Sequence, residues 1–180
     1  MRYIKKPVKG EYPEYSHIYM DLLEDDGMVL KHLWENFVKI KEFVYALPKE
    51  KLEYRYADDK WTIKEILVHL IDDERIFAYR ALRYARNDDT PLHGFDQDAY
   101  AKNSKANERS LESIFDEYES VRRSTLTLFK YLPEESFMRG GKGVDIDGSI
   151  INQRTVRGLA YHIAGHELRH FNIIKERYVN

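Results

Sequence analysis

Apolar residues recur at intervals of three and four in four long segments of the chain, which is the period of an amphipathic helix. The first predicted helix covers the segment from about Glu24 to Leu47. The second opens at Thr62, which is spaced to form a capping box with Glu65, and its apolar positions continue to Leu82. Both segments therefore predict helices that bury one face in a hydrophobic core.

Two further helices follow after polar connections. Ser110 is the predicted N-cap of the third helix, which continues through Phe129, and Thr155 is the predicted N-cap of the fourth, which reaches about Tyr178. A long polar crossover at residues 86–109 separates the second and third helices. The glycine-rich residues 139–151 predict a short hairpin-like loop before the fourth helix. This pattern predicts an all-α fold, a four-helix bundle that forms one domain over residues 1–180.

The composition narrows the classes of partner. The 29 basic and 31 acidic residues are interspersed and give a net charge of -2, so the chain lacks the basic surface that nucleic acids require. Cysteine is absent, which excludes a disulfide framework, a cysteine nucleophile and a thiolate metal site. No stretch approaches the roughly 18 apolar residues of a membrane span, and no apolar signal segment follows the N-terminus. We therefore expect a cytoplasmic protein that contacts neither membrane nor nucleic acid.

Candidate chemistry is concentrated in the fourth predicted helix, where residues 162–170 read HIAGHELRH. His166 and His170 are one helical turn apart, which is close enough for both to bind one divalent ion. His162 continues the same stripe one turn earlier. Alternatively, two histidines at this spacing can lie on the surface of a helix and bind no metal. Because apolar positions lie beside this stripe, we expect the imidazoles to point partly into the bundle, where each needs a partner.

The same letters contain the H-E-x-x-H signature of zinc peptidases, in which the glutamate is the general base. The metzincin extension of that signature would require glycine and histidine where this chain has Ile173 and Glu176. No later histidine follows in the sequence. The peptidase interpretation is therefore disfavoured, and we expect the third ligand upstream.

His69 is the best upstream candidate, because it lies on a line of helically spaced apolar positions in the second predicted helix. The alternative is a core histidine that is hydrogen-bonded to a carbonyl group. Asp73, one turn later, could bind the metal, orient an imidazole or be solvated. Glu167 lies about 100° around the helix from His166, which favours a supporting or surface position. The other histidines lack a partner at ligand spacing and are predicted to be structural or exposed: His17, His32 and His93.

Residues 61–74 (WTIKEILVHLIDDE) and 157–170 (RGLAYHIAGHELRH) resemble the DinB/YfiT-like superfamily. They match its W-[ST]-x-x-E-x-x-x-H entry to the second helix and its G-H-E-x-x-H block on the fourth, and the predicted helices extend the likeness over nearly the whole chain. The resemblance implies an up-down-down-up bundle with a divalent metal held by His69, His166 and His170. His162 matches a position that the family does not usually use as a ligand. Arg169 stands where many members have histidine, which affects the surroundings of the ligands rather than the triad.

Three neutral imidazoles leave a divalent ion with open positions for water or substrate, and nickel, zinc, iron and manganese all accept such ligands. Similar proteins include transferases that join a low-molecular-weight thiol to an electrophile, which implies a metal-dependent transferase for small molecules, with Glu167 and Asp73 as candidate catalytic or orienting groups. The alternatives are metal-dependent hydrolysis of a small amide or ester, and a non-catalytic metal or ligand-binding bundle. The resemblance also implies a homodimer. The crossover residues predicted to line the metal's opening are Asp96, Gln97 and Tyr100.

Overall fold

The computed structural model describes residues 2–88, 90–145 and 147–179, without the side chains of Ile151 and Asn152. Asp89 of the predicted crossover, Ile146 of the predicted hairpin and the two terminal residues of the predicted domain lie outside the described residues. The described chain is mostly helical. Its seven α-helices are α1 (His17–Met20), α2 (Val29–Tyr45), α3 (Lys49–Leu52), α4 (Ile63–Ala85), α5 (Gln97–Asn103), α6 (Leu111–Tyr131) and α7 (Val156–Arg177).

The starts of three long helices agree with the caps predicted from the sequence. Thr62 and Glu65 form the complete capping box at the start of α4. The side chains of Ser110 and Thr155 accept hydrogen bonds from backbone N–H groups in the first turns of α6 and α7. The predicted start of the first helix at Glu24 is wrong, because α2 begins at Val29. Gly27 has a φ of 69°, a left-handed conformation that a helix cannot include.

The four long helices pack in a ring, in which α2 and α4 each contact α6 and α7. Two buried apolar clusters fill the interior. One cluster joins the first halves of α2 and α7 to the second halves of α4 and α6, with members Leu33, Leu159, Ala81 and Phe129. The other joins the opposite halves of the same helices, with members Ile40, Ile174, Leu67 and Ile114.

A small sheet makes the all-α prediction incomplete. Strands β2 (Gly140–Val144) and β3 (Ile150–Thr155) pair antiparallel, and they begin within residues 139–151, for which the sequence predicts a hairpin-like loop. Strand β1 (Leu92–His93), within the crossover, pairs parallel with β2, so the order in the sheet is β1-β2-β3. A two-residue strand carries no alternating pattern that a sequence could display, because it owes its conformation to the neighbouring strand. The sheet lies beside α4, where Gly141 packs against the ring of Tyr84.

The N-terminal segment, for which the sequence predicts no helix, packs against α7 through α1. This approach depends on Gly165 in the middle of α7, since a Cβ atom there would lie 2.4 Å from the backbone oxygen of Tyr19. Across the described ranges of the chain, no helix has both the length and the apolar character that crossing a membrane requires.

Candidate metal centre

Three histidine side chains from two helices meet at one point between α4 and α7. The Nε2 atom of His166 lies 3.2 Å from Nε2 of His69 and 3.1 Å from Nε2 of His170. One nitrogen from each of the three residues can be chosen so that all lie within 4.8 Å of one another. His69 and His166 are buried, and His170 is half-buried. The structure thus brings together the three histidines that the sequence proposes as ligands, and we call them the imidazole cluster.

Burial keeps the three rings neutral. Burial lowers the pKa of His69 to about 2, with His166 and His170 adding to the effect, and it lowers the pKa of His166 to about 4. The pKa of His170 is also well below its usual value, because the ring is buried. A neutral imidazole carries one N–H group and one nitrogen lone pair, and only the lone pair can bind a metal.

Asp73 favours one tautomer of His166. Its Oδ2 atom lies 3.3 Å from Nδ1 of His166 without the geometry of a hydrogen bond, and this nearby acceptor favours a proton on Nδ1 and a lone pair on Nε2. Burial raises the pKa of Asp73 to about 7, although Arg80 and Arg154 lower it. Asp73 therefore contacts His166, a candidate ligand, at the ring nitrogen that does not face the other two histidines.

The convergence of three Nε2 atoms fits a divalent metal. Two nitrogens that share an ion at about 2.1 Å lie about 3.0–3.4 Å apart when the angle at the ion is about 90–109°. Both measured contacts of His166 Nε2 lie in this range. Lone pairs that face one another cannot satisfy one another, whereas an ion between them satisfies all three.

Glu167, the glutamate of the H-E-x-x-H string, belongs to a different set of contacts. Its carboxylate accepts hydrogen bonds from the Tyr118 hydroxyl at 2.6 Å and from Nη2 of Arg122 at 2.7 Å. The guanidinium of Arg122 also binds Glu74, at 2.8 Å from Nη2 and 3.0 Å from Nε, and donates to the backbone oxygen of Leu33. Glu74, Tyr118, Arg122 and Glu167 are all fully buried, and we call these four residues the ion cluster. A catalytic role for Glu167 stays a prediction, which these contacts speak against.

The other histidines fall into two groups. His162 is buried, with its ring stacked on Phe77 at 4.0 Å and its centroid 5.6 Å from that of His166. The histidines predicted to be structural or exposed are away from the imidazole cluster. His17 and His93 are exposed, and His32 contacts Asp26 at 3.0 Å.

Two pockets reach the imidazole cluster from different directions. A cavity of 260 Å³ is lined by His166, His162 and Asp73 together with Gln97 of the crossover. A second pocket of 280 Å³ is lined by His170, with walls that include Trp61, Tyr56 and Asp98. The ring of Trp61 packs 4.7 Å from that of His69 and stacks on that of His170 at 6.3 Å. Both pockets are slightly smaller than the range of about 300–1,000 Å³ that is usual for ligand sites.

The crossover prediction holds for one of its three residues. Gln97 lines the cavity beside His166. Asp96 instead accepts a hydrogen bond from the backbone of Ala99 and so caps α5, and Tyr100 is exposed and packs against Phe95.

Three of the residues that line the cavity were not predicted from the sequence, namely Tyr19, Arg80 and Arg154. Tyr19 contacts the rings of His162 and His166 edge-on at 5.0 and 5.4 Å. The signal for this contact was Gly165, because a glycine inside a long helix often marks a close backbone approach. Arg80 also lines the cavity and continues the helical line of His69, Asp73 and Phe77, so its position could have been predicted. Arg154 lines the cavity from β3, and nothing in the local sequence indicates that.

Comparison with known proteins supplies the family context. Residues 30–174 match the family model of the DinB superfamily. A protein of Oceanobacillus iheyensis described as a "putative metal-dependent hydrolase" is 30% identical over 156 residues, which cover 84% of this chain and 86% of the relative. The fold is similar to that of YfiT from Bacillus subtilis, described as "a probable metal-dependent hydrolase with an unusual four-helix bundle topology", with a TM-score of 0.71 and 20% identity over 95% of this chain and 90% of that chain.

Proposed function

Because this chain belongs to the DinB superfamily and three imidazole nitrogens converge between its helices α4 and α7, we propose that it is a divalent-metal-dependent enzyme that acts on small molecules. His69, His166 and His170 would hold the ion, and Asp73 would keep the proton of His166 on Nδ1. When bound, the ion lowers the pKa of a coordinated thiol or water, which supplies a nucleophile at neutral pH. Nickel, zinc, iron and manganese all suit imidazole ligands, so the donor set does not select among them.

The reaction that the geometry favours is transfer of a low-molecular-weight thiol to a small electrophile. The observation that carries this proposal is the pair of pockets, one beside His166 and one beside His170, since two reactants must meet at one centre. In the reaction the thiol loses its proton to solvent, and its sulfur forms a bond to the electrophilic carbon. The leaving group departs with the bonding electron pair.

The positions of the acidic residues also favour transfer. A metal-activated water is usually helped by a carboxylate base near the ion. Asp73 contacts Nδ1 of His166, and Glu167 is bound by Arg122 and Tyr118. A thiol requires no such base once its pKa is low, because the thiolate is then present at neutral pH.

Hydrolysis of a small amide or ester is the second candidate. The descriptions of the Oceanobacillus iheyensis relative and of YfiT as metal-dependent hydrolases favour it. In this reaction water adds to the carbonyl carbon, and the amine or alcohol leaves after it takes a proton.

One experiment separates the two reactions. Metal-loaded protein is incubated with glutathione or cysteine and 1-chloro-2,4-dinitrobenzene, and separately with nitrophenyl esters and anilides without thiol, and the products are identified by mass spectrometry. We expect a thioether above the rate without protein, and His69→Ala should abolish the increase. Cleavage without thiol would identify the hydrolase instead. Catalysis of neither reaction, with metal bound, would contradict both proposals.

The proposal also includes the up-down-down-up order of the helices. The two apolar clusters support it, because each joins the first halves of α2 and α7 to the second halves of α4 and α6, or the reverse. The homodimer and the cytoplasmic location stay predictions from the sequence.

A further inference from the structure

Two arginines are buried together in the wall of the cavity that contains His166. Arg80 is 5% exposed and Arg154 is 4% exposed, and both line the cavity. Their guanidinium carbons lie 4.9 and 5.5 Å from the centre of the Phe77 ring, so the two cations share one aromatic side chain. Arg80 comes from α4 and Arg154 from β3, so the pair depends on the tertiary fold.

The hydrogen-bond partners of these two cations are neutral. Arg80 donates from Nη2 to the backbone oxygen of His93 at 2.9 Å, and Arg154 donates from Nη2 to the hydroxyl of Tyr15. The Nε atom of Arg154 is buried and has no hydrogen-bond partner among the described residues. A buried donor without a partner costs free energy, so native structures usually supply a partner or leave the position for a ligand.

Arg122 of the ion cluster shows how this protein buries an arginine for structural reasons. Two carboxylates, those of Glu74 and Glu167, bind its guanidinium from the interior of the bundle. At the cavity, by contrast, burial lowers the pKa of Arg80 and the neighbouring charge of Arg154 lowers it further, while the charge of Asp73 opposes both effects. Two like charges held together next to open space are typical of a site that binds an anion.

Two acidic residues also line the cavity and must be considered as internal partners. Asp73 lies 3.3 Å from the ring Nδ1 of His166, and it interacts with Arg80 and Arg154 through its charge and not through a hydrogen bond. Asp145 is exposed at the rim and has contacts of its own. The cavity keeps a volume of 260 Å³ with both of them in place, so a small ligand can enter without displacing either.

We propose that Arg80 and Arg154 form a subsite for an oxyanion, the carboxylate or phosphate group of a small substrate whose reactive end points toward His166. A guanidinium offers parallel N–H donors that match a planar carboxylate or two phosphate oxygens, and the free Nε of Arg154 supplies one of them. The anion subsite itself rests on the cavity alone. That its occupant is a substrate rests on the proposed function. It specifies an anionic molecule as one of the reactants.

The test measures anion binding directly and does not require turnover. Metal-loaded protein is titrated by calorimetry with succinate in one series and with inorganic phosphate in another. We expect Arg154→Gln and Arg80→Gln each to weaken binding about tenfold, since each removes a charge-assisted hydrogen bond. Arg83→Gln is the matched control, because it makes the same change one turn later on α4 at a residue that contacts Tyr79 and Asp88 rather than the cavity. Its affinity should equal that of the wild type.

Arg154→Lys guards against misfolding, because it keeps the charge and removes the fork of donors. If Arg154→Gln does not fold, Arg154→Lys takes its place. We expect Arg154→Lys to fold and to bind the anion less tightly than the wild type. Stronger binding of succinate than of phosphate would assign the subsite to a carboxylate, and the reverse order to a phosphate. Equal affinities in the wild type and the cavity variants would overturn the proposal, and so would a wild type that binds neither probe at millimolar concentration.

Failure of the subsite and failure of the proposed reaction give different results. If the protein binds an anion through Arg80 and Arg154 but transfers no thiol, the result would support the subsite and contradict the proposed reaction. If both cavity variants transfer thiol at the wild-type rate and keep their anion affinity, the result would support the proposed reaction and contradict the subsite.

Discussion

His166 and Glu167 are neighbours on α7, yet they belong to two buried polar clusters with opposite chemistry. In the ion cluster the donors of Arg122 and Tyr118 meet the acceptors of Glu74 and Glu167, so the hydrogen-bonding groups are paired within the protein. In the imidazole cluster three neutral rings bring their Nε2 atoms together. A set in which donors meet acceptors is complete in itself, whereas a set in which acceptors converge requires an additional ion. The comparison assigns stability to the Glu167 side of the helix and chemistry to the His166 side.

The largest effect should follow from breaking the ion cluster. Arg122→Met leaves Glu74 and Glu167 buried without their cation, and the free energy of unfolding should fall by about 3–5 kcal/mol. Urea denaturation measures this change, and metal content per folded chain should stay at the wild-type level. Arg123→Met is the matched control, because Arg123 is exposed and bound to Glu119, and it should cost less than about 1 kcal/mol. Loss of metal without loss of stability in Arg122→Met would contradict the division of the two clusters.

Acid should destabilise the metal-free protein through its buried imidazoles. The pKa values of His69 and His166 are lowered to about 2 and about 4, and those of His162 and His170 are well below 6.5. The unfolded chain therefore takes up protons below pH 6.5 that the folded chain does not. Asp73 acts in the opposite direction, since its pKa of about 7 lets the folded chain hold one proton that the unfolded chain lacks. The free energy of unfolding should fall between pH 6.5 and about 4, by about 1.4 kcal/mol per pH unit for each net proton.

Urea denaturation at several pH values, with a chelator present, measures this slope. His162→Gln should reduce it by one proton, because burial holds the pKa of His162 well below its usual value. Arg122 contributes no slope in this range, since it stays protonated in both states. A flat profile between pH 6.5 and 5 would mean that the imidazoles are charged in the folded protein.

A smaller effect should follow from changing the support of one ligand. Asp73→Asn removes the carboxylate that faces Nδ1 of His166, and the affinity for metal should fall about 10–100-fold. Competition with a chromophoric chelator measures the affinity. Asp72→Asn is the control, because its half-buried side chain lies near Arg75 instead, and it should leave the affinity unchanged. Equal metal affinities in the two variants would contradict a role of Asp73 in supporting His166.

The parts of the fold that the sequence predicted are those specified by local interactions. Thr62, Ser110 and Thr155 each cap their own helix, so short windows of sequence locate the starts of α4, α6 and α7. The start of α2 was misplaced because residues 24–27 are polar or glycine and offer no apolar position to mark the boundary, whereas the left-handed conformation of Gly27 keeps the helix from beginning before it. The four-residue α1 is too short to show a period.

The candidate site shows the same division between local and long-range information. His166 and His170 share one helix, and their spacing alone proposes two ligands. His69 is 97 residues from His166 along the chain. Its position among helically spaced apolar residues made it a candidate, and the family motif then paired it with His166 and His170. Arg154 reaches the cavity from a strand that packs against the bundle, so only the tertiary structure reveals it. Gly165 signals a close approach to α7, but the sequence does not say that Tyr19 makes it.

Metal analysis of purified variants tests the central claim most directly. Elemental analysis should find about one divalent ion per wild-type chain, and the same amount in His17→Ala, whose ring is exposed. His69→Ala and His170→Ala should each lose most of the metal while they stay folded, because each removes one of three converging nitrogens. Full metal content in folded His69→Ala would contradict a site shared between α4 and α7.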